Sequence, residues 1–190
     1  MLKSVCVFSA SSDAVAPKYF AVAEELGALI AHERVTLIYG GGKVGLMGAL
    51  ARAVHQQGGR VVGVIPHYLR AKEICYEAAD ELVVTRDLRE RKAVMEERSD
   101  AFLTLPGGFG TLEEILEILT LKQLRQHTKP IVLLNTDGFY APLLGMFEQL
   151  YAERFTKADY RHYYHVAAGP REAFAHLASY APPAAPAKWF

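Results

Sequence analysis

The chain has 190 residues, which is the size of one ordinary domain with a sizeable core. Its 51% hydrophobic and 22% charged residues are typical of a globular protein and argue against a disordered one. The 21 basic and 21 acidic residues balance, so the chain lacks the basic excess of a protein that coats nucleic acid. A phosphorylated ligand should therefore be bound by local geometry.

Short β-rich runs alternate with amphipathic helical patterns along the chain. The patterns predict strands at residues 4–9, 35–39, 60–65, 81–85, 101–105 and 130–134. They predict helices at residues 17–31, 46–57, 88–98, 112–126, 140–153 and 171–179. This alternation favours an α/β fold with a mostly parallel sheet and helices on both faces. We expect one domain over residues 1–180 and a Pro/Ala-rich tail at 181–190.

Several sequence features bear on location and partners. No apolar run approaches the ~18 residues of a membrane-spanning helix, so no membrane association is expected. The two cysteines do not form a disulfide framework, which favours a reducing, cytoplasmic compartment. No Cys/His spacing resembles a zinc site, and no metal is expected.

The first glycine-rich loop, GGGKVGLMG at residues 40–48, follows the second predicted strand. Glycines such as Gly41 and Gly42 let backbone N–H groups approach a phosphate, and the following helix N-terminus favours an anion. The loop is neither a Walker motif nor GxGxxG in its usual register. Two interpretations stay open, a phosphate cradle and a tight turn in which Gly48 permits close helix packing.

The second loop, PGGFGTLEE at residues 106–114, again joins a strand to a helix. Thr111 is a candidate helix N-cap, and Glu114 three residues later would complete a capping box. The other interpretation makes Glu114 a catalytic carboxylate. Two glycine-rich turns at one sheet edge favour a two-sided cradle for one phosphorylated ligand, because the carboxyl ends of the strands are where such sheets bind ligands.

The helix LRERKAVMEER carries basic residues beside its apolar side. Arg91 and Lys92 are each three or four residues from Leu88 and Met95, so they lie near the core-facing stripe. A buried guanidinium needs a partner because an unpaired buried charge is costly. Alternatively, Arg91 extends to solvent or forms an i,i+4 pair with Asp87.

Together GGGKVGLMG, RKAVM and PGGFGTLEE resemble the LONELY GUY (LOG) family, the cytokinin riboside 5′-monophosphate phosphoribohydrolases, over about residues 3–180. The resemblance implies a Rossmann-like, doubly wound fold and a homodimer. It also implies release of a free base and ribose 5-phosphate without a cofactor. An older label of the family, "lysine decarboxylase-like", has no chemical support here, because no set of residues for a pyridoxal phosphate Schiff base can be identified.

The resemblance also implies roles for individual residues. Arg91 and Glu114 match the catalytic arginine and glutamate of the family. The positions that match substrate-binding residues are Glu73, Lys92, Gly107, Gly108, Phe109, Gly110, Thr111, Leu112, Glu113 and Thr120. Leu88 and Arg89 occupy positions where the family often has Met-His, a difference that bears on substrate preference.

The implied mechanism places Glu114 beside the anomeric carbon, where it stabilises an oxocarbenium-like state and activates water or attacks directly. Arg91 would orient this carboxylate, and the glycine loops with Thr111 would hold the 5′-phosphate. The main alternative is a non-catalytic carrier of a phosphorylated ligand. An NAD-dependent oxidoreductase is disfavoured by the lack of a proper GxGxxG. The sequence leaves open whether the base is adenine or an N6-substituted adenine.

Overall fold

A computed structural model describes residues 2–72 and 74–183, and within them the chain forms one seven-stranded sheet. The strands are β1 Ser4–Phe8, β2 Thr36–Tyr39, β3 Val61–Pro66, β4 Glu81–Thr85, β5 Ala101–Thr104, β6 Ile131–Leu134 and β7 His165–Ala167. All neighbouring strands are parallel, in the order β4-β3-β2-β1-β5-β6-β7. The predicted α/β class is confirmed, and the described sheet is parallel throughout.

Helices cover both faces of the sheet. They are α1 Pro17–His32, α2 Gly45–Gln56, α3 His67–Arg70, α4 Leu88–Glu97, α5 Phe109–Gln123, α6 Ala141–Ala152 and α7 Pro170–Ser179. One core cluster joins the sheet to α1, α2 and α7, and a second joins its other face to α4, α5 and α6. Alternation along β1 shows the two layers, since Val5 and Val7 belong to the first cluster and Cys6 and Phe8 to the second.

The strand order creates a crevice beside β1. This strand pairs with β2 on one side and with β5 on the other. The chain runs outward from β1 to β4, then crosses back to add β5, β6 and β7. The loops that follow β1 and β5 therefore diverge at the carboxyl edge, which is where open parallel sheets bind ligands.

All six predicted strands and all six predicted helices are present, with ends that shift by up to three residues. The short β7 and α3 were not predicted, because three or four residues carry too little periodicity. None of the described helices has the length and apolar character needed to cross a bilayer. Residues 184–190 lie outside the described part, so the boundary between a domain at 1–180 and a tail stays a prediction.

The start of α5 differs from the prediction. The helix begins at Phe109 with Gly108 as its N-cap, three residues earlier than expected. Thr111 is thus in the first turn, and the predicted capping box of Thr111 with Glu114 is wrong. The early start depends on close packing of Gly107 against Thr111, since a Cβ at Gly107 would lie only 2.1 Å from Oγ1 of Thr111. Glycine lets the chain fold tightly enough for the helix to start early.

Candidate active site

A cleft of about 450 Å³ opens at the carboxyl edge, where β1 and β5 diverge. Its polar lining comes from the loops after β1, β2 and β5 and from α4 and α5, and it includes Ser9, Ser11, Ser12, Gly40, Gly42, Arg91, Gly108, Gly110, Thr111 and Glu114. The apolar side chains of the lining, here called the apolar wall, are Met47, Ile65, Leu69, Ile74 and Leu88.

The Arg91 side chain on α4 meets Glu114 on α5 at the base of this cleft. Nη1 of Arg91 donates to Oε1 of Glu114 at 2.6 Å, and Nε donates to the carbonyl of Val64 at 3.0 Å. Both side chains are almost buried, with 11% and 10% of their surface exposed. The arginine predicted to need a partner has therefore found it on another helix.

The alternative interpretations of these two residues fail for a geometric reason. Asp87 does not pair with Arg91, because its Oδ1 accepts hydrogen bonds from the backbone N–H groups of Arg89 and Glu90 and caps α4. Glu114 lies in the second turn of α5 and is not a capping residue. Two buried, paired charges in a cleft are typical of a functional site.

Burial raises the pKa of Glu114, and the neighbouring Arg91 guanidinium opposes part of that rise. The largest cause is desolvation of the carboxylate by the surrounding helices and sheet. A carboxylate that is held in place and made more basic is suited to act as a base or to face a developing positive charge.

The first glycine loop makes room for this pair. A Cβ at Gly40 would lie 2.0 Å from Nη2 of Arg91, so any larger residue would displace the guanidinium. Gly41 adopts a φ of +73°, which favours glycine, and lies behind the cleft wall against Ile65. Gly42 lines the cleft and pairs with Cys75 in an antiparallel bridge. Gly41 therefore serves the turn, whereas Gly40 and Gly42 line the cleft, and phosphate binding by this loop stays a prediction.

The second glycine loop presents the N-terminus of α5 to the cleft. Gly108, Phe109, Gly110 and Thr111 all line it, and no side chain caps the first turn of this helix. The N-terminus of a helix with exposed N–H groups binds anions, because the helix dipole and the unpaired donors act together. The start of α5 is therefore a candidate anion site of the cleft.

Other predicted substrate-binding residues lie outside the cleft of this chain. Lys92 forms hydrogen-bonded ion pairs with Glu113 and Glu117 on the outer side of α5. Burial lowers the pKa of Lys92, but these two carboxylates outweigh it and leave the pKa raised. Leu112 packs against the second core cluster, and Gly107 lies beneath Thr111.

Two further predicted residues have different outcomes. Thr120 donates from Oγ1 to the carbonyl of Leu116 at 2.7 Å and lines a separate aromatic depression of about 170 Å³ between α5 and α6. Glu73 lies outside the described residues. No group of three or more His, Cys, Asp or Glu side chains in residues 2–72 and 74–183 is arranged to hold a metal ion.

The loop after β1 also lines the cleft, although no motif in the sequence marks it. Residues Ser9 to Ser12 line the cleft, and Oδ1 of Asp13 accepts a hydrogen bond from the N–H of Gly45 at 2.8 Å. Its signal is only a run of small polar residues after a strand, which many surface loops share. The position of this strand beside the crevice gives the loop its importance.

Comparison with known proteins now identifies the family. The family described as "Possible lysine decarboxylase" matches residues 47–177. The probable cytokinin riboside 5′-monophosphate phosphoribohydrolase LOGL2 of Oryza sativa subsp. japonica is 44% identical over 95% of this chain and 74% of its own length. The cytokinin riboside 5′-monophosphate phosphoribohydrolase LOG5 of Arabidopsis thaliana is 43% identical over 95% of this chain and 79% of its own length.

The chain belongs to the LOG family. Solved structures share the fold of this LOG protein with lower identity. The molybdenum cofactor binding protein of Rippkaea orientalis matches with a TM-score of 0.72 and 25% identity, over 94% of this chain and 97% of its own. The molybdenum cofactor carrier protein of Chlamydomonas reinhardtii matches with a TM-score of 0.70 and 26% identity, over 94% and 97%.

Proposed function

We propose that this LOG protein hydrolyses the N-glycosidic bond of a purine nucleoside 5′-monophosphate and releases the free base and ribose 5-phosphate. The observation that carries the proposal is the buried Arg91–Glu114 pair, which lies in one cleft with the uncapped N-terminus of α5. Relatives that are 42–44% identical over 95% of the chain are named as enzymes of this activity.

The 5′-phosphate binds at the N-terminus of α5. Gly108 and Gly110 leave the backbone donors accessible, and Thr111 adds a hydroxyl in the same turn. Arg91 is the one basic side chain among the described residues that line the cleft. The phosphate is therefore bound mainly by the backbone N–H groups of the helix N-terminus, in line with the zero net charge of the chain. Anchoring the phosphate holds the ribose at a fixed place relative to Glu114.

Glu114 acts on the ribose. Cleavage of the bond to the base builds positive charge at the anomeric carbon, and a buried carboxylate stabilises that charge strongly because little water competes. Its raised pKa also suits it to take a proton from water. Arg91 is a positioning residue in this mechanism, since its bonds to Glu114 and to the Val64 carbonyl fix the carboxylate.

The base lies against the apolar wall of the cleft. Met47, Ile65, Leu69, Ile74 and Leu88 offer a surface suited to a purine ring and an apolar N6 substituent. AMP and N6-modified riboside monophosphates are therefore both proposed as substrates. A cytoplasmic location is also proposed, because Cys6 and Cys75 are buried free thiols.

A homodimer would bury an apolar face of this chain. Leu116, which is 41% exposed, lines the same depression as Thr120, and Met146 and Phe155, which are 51% and 79% exposed, directly precede two of its lining residues in sequence. Exposed large apolar side chains grouped beside a depression are typical of an interaction surface. Pairing with a second copy through this face would also explain why Thr120, a substrate-binding position by resemblance, lies away from the cleft of its own chain.

The test is product analysis by chromatography. The purified protein is mixed with AMP, with isopentenyladenosine 5′-monophosphate, and with the two matching nucleosides. We expect free base from the monophosphates alone, because the nucleosides lack the anchoring phosphate. Bound AMP without release of adenine would favour the alternative, a carrier; solved structures of a Chlamydomonas protein that is 25–26% identical bear that name.

A further inference from the structure

The hydroxyl of Ser9 is buried without a protein partner, and Ser9 lines the cleft. Ser9 is 7% exposed, and its Oγ has no hydrogen-bond partner within residues 2–72 and 74–183. Three other buried hydroxyls of the described chain share this property, on Tyr39, Thr104 and Thr136. Ser9 is the one of these four that lines the cleft. A buried polar group without a partner costs free energy, so its presence calls for an explanation.

The position of Ser9 is fixed from both sides. The N–H of Ala10 donates to the carbonyl of Pro106, and the carbonyl of Ala10 accepts from the N–H of Met47, each at 3.3 Å. The segment at residues 9–13 is thus held between the second glycine loop and α2. A Cβ at Gly45 would lie 2.5 Å from the backbone carbon of Ser11, so the contact with the first loop is also close.

We infer that Ser9 is a substrate-binding residue whose hydroxyl donates a hydrogen bond to an oxygen of the ribose 5-phosphate half of the substrate. This inference rests on the proposed function, because it takes the cleft as the nucleotide site. The ribose 5-phosphate half is the part rich in oxygen acceptors, and Ser9 lies beside the loop that leads into the N-terminus of α5. The apolar side chains of the cleft lining offer the base no comparable donor.

The test separates ligand binding from stability. Ser9→Ala removes a hydroxyl that has no protein partner, so the thermal unfolding temperature of the ligand-free protein should stay the same or rise. The dissociation constant for ribose 5-phosphate should rise about tenfold, the scale of a lost hydrogen bond to a charged group. Calorimetry measures the dissociation constants for ribose 5-phosphate and for inorganic phosphate alone. If Ser9→Ala weakens the binding of both, the hydroxyl contacts the phosphate; if it weakens only ribose 5-phosphate binding, the contact is with the ribose.

Thr104→Val is the matched control. It removes a second unpartnered hydroxyl, fully buried on the neighbouring strand and away from the cleft lining, at nearly constant volume. Both variants should be at least as stable as the wild type, but only Ser9→Ala should weaken ribose 5-phosphate binding.

Two results would overturn the assignment of Ser9. Unchanged binding by Ser9→Ala would show that the hydroxyl does not meet the ligand. If the ligand-free Ser9→Ala protein unfolds at a clearly lower temperature and also binds ribose 5-phosphate more weakly, the loss of binding follows from the loss of stability, and Ser9 is a structural residue. Failure of the wild type to bind AMP and ribose 5-phosphate would instead contradict the proposed function itself and the inference with it.

Discussion

Arg91 and Lys92 are consecutive residues of α4, and both form ion pairs with α5, but their environments differ. The Arg91 and Glu114 side chains are 11% and 10% exposed. The Lys92 partners Glu113 and Glu117 are 58% and 42% exposed, although Lys92 itself is largely covered. Since each residue turns a helix by about 100°, adjacent side chains face different surroundings.

The two ion pairs therefore differ more in the burial of their carboxylates than in their chemistry. A buried pair pays a desolvation cost that apolar side chains would avoid, so it is poorly explained by stability and well explained by function. A pair with exposed carboxylates contributes little to stability. Variants of each pair should therefore give unequal effects.

The largest expected effect is on stability. Arg91→Gln leaves the Glu114 carboxylate buried without its cation, and we expect the free energy of unfolding to fall by about 3–5 kcal/mol. Lys92→Gln leaves its partners in solvent, and the loss should be below about 1 kcal/mol. Urea unfolding followed by circular dichroism measures both. Equal losses would mean that the two pairs are equivalent.

The next effect is on catalysis. Glu114→Gln keeps the shape of the side chain and an acceptor for Arg91 but removes the negative charge. The rate of base release should fall at least ~100-fold, the scale of a positioned acid–base group. Glu117→Gln, on the same helix and in the exposed pair, is the control and should keep the wild-type rate. A fully active Glu114→Gln protein would reduce the buried pair to a structural role.

A smaller loss should follow from moving Arg91 without removing it. In Gly40→Ala, the new Cβ would lie 2.0 Å from Nη2 of Arg91, so the guanidinium must shift. We expect the rate to fall by at least about tenfold, because small misplacements near a reacting centre are costly. Gly145→Ala is the control, since its Cβ would meet no atom within 4 Å. Similar rates for both variants would show that the position of Arg91 is unimportant.

Much of the fold was predictable because its signals are local. Continuous apolar runs marked the buried parallel strands, and the two glycine loops followed strands at the edge where the cleft lies. The pairing of Arg91 with Glu114 was not predictable from spacing, because the residues are 23 positions apart on two helices. The family resemblance assigned their roles, but only the sheet order brings them together.

The missed and misplaced features have physical reasons. Ser9 carries no periodic signal, and its importance comes from the position of β1 beside the crevice. The N-cap of α5 was misplaced because a threonine followed by Glu114 imitates a capping box, whereas the glycines before it let the helix begin earlier. Thr120 lines a depression between α5 and α6, away from the cleft, and no local pattern of the sequence indicates this position.

The last prediction concerns the response of the buried pair to pH. Because the folded protein raises the pKa of Glu114, it binds a proton more readily than the unfolded chain does. Stability due to this group is therefore present below the unfolded pKa of about 4.5 and is lost as pH rises through the folded pKa. Glu114→Gln has no such group and removes this dependence.

The measurement is the difference in unfolding free energy between the wild type and Glu114→Gln from about pH 4 to 7. We expect the wild type to lose stability relative to the variant as pH rises through this window. Base release should show the complementary behaviour, since the carboxylate form is active and the rate falls as pH falls through the same raised pKa. A stability difference that does not change with pH would mean that Arg91 fully offsets the effect of burial on the pKa of Glu114. The rate would then fall only at a pH within or below the ordinary pKa range of a glutamate.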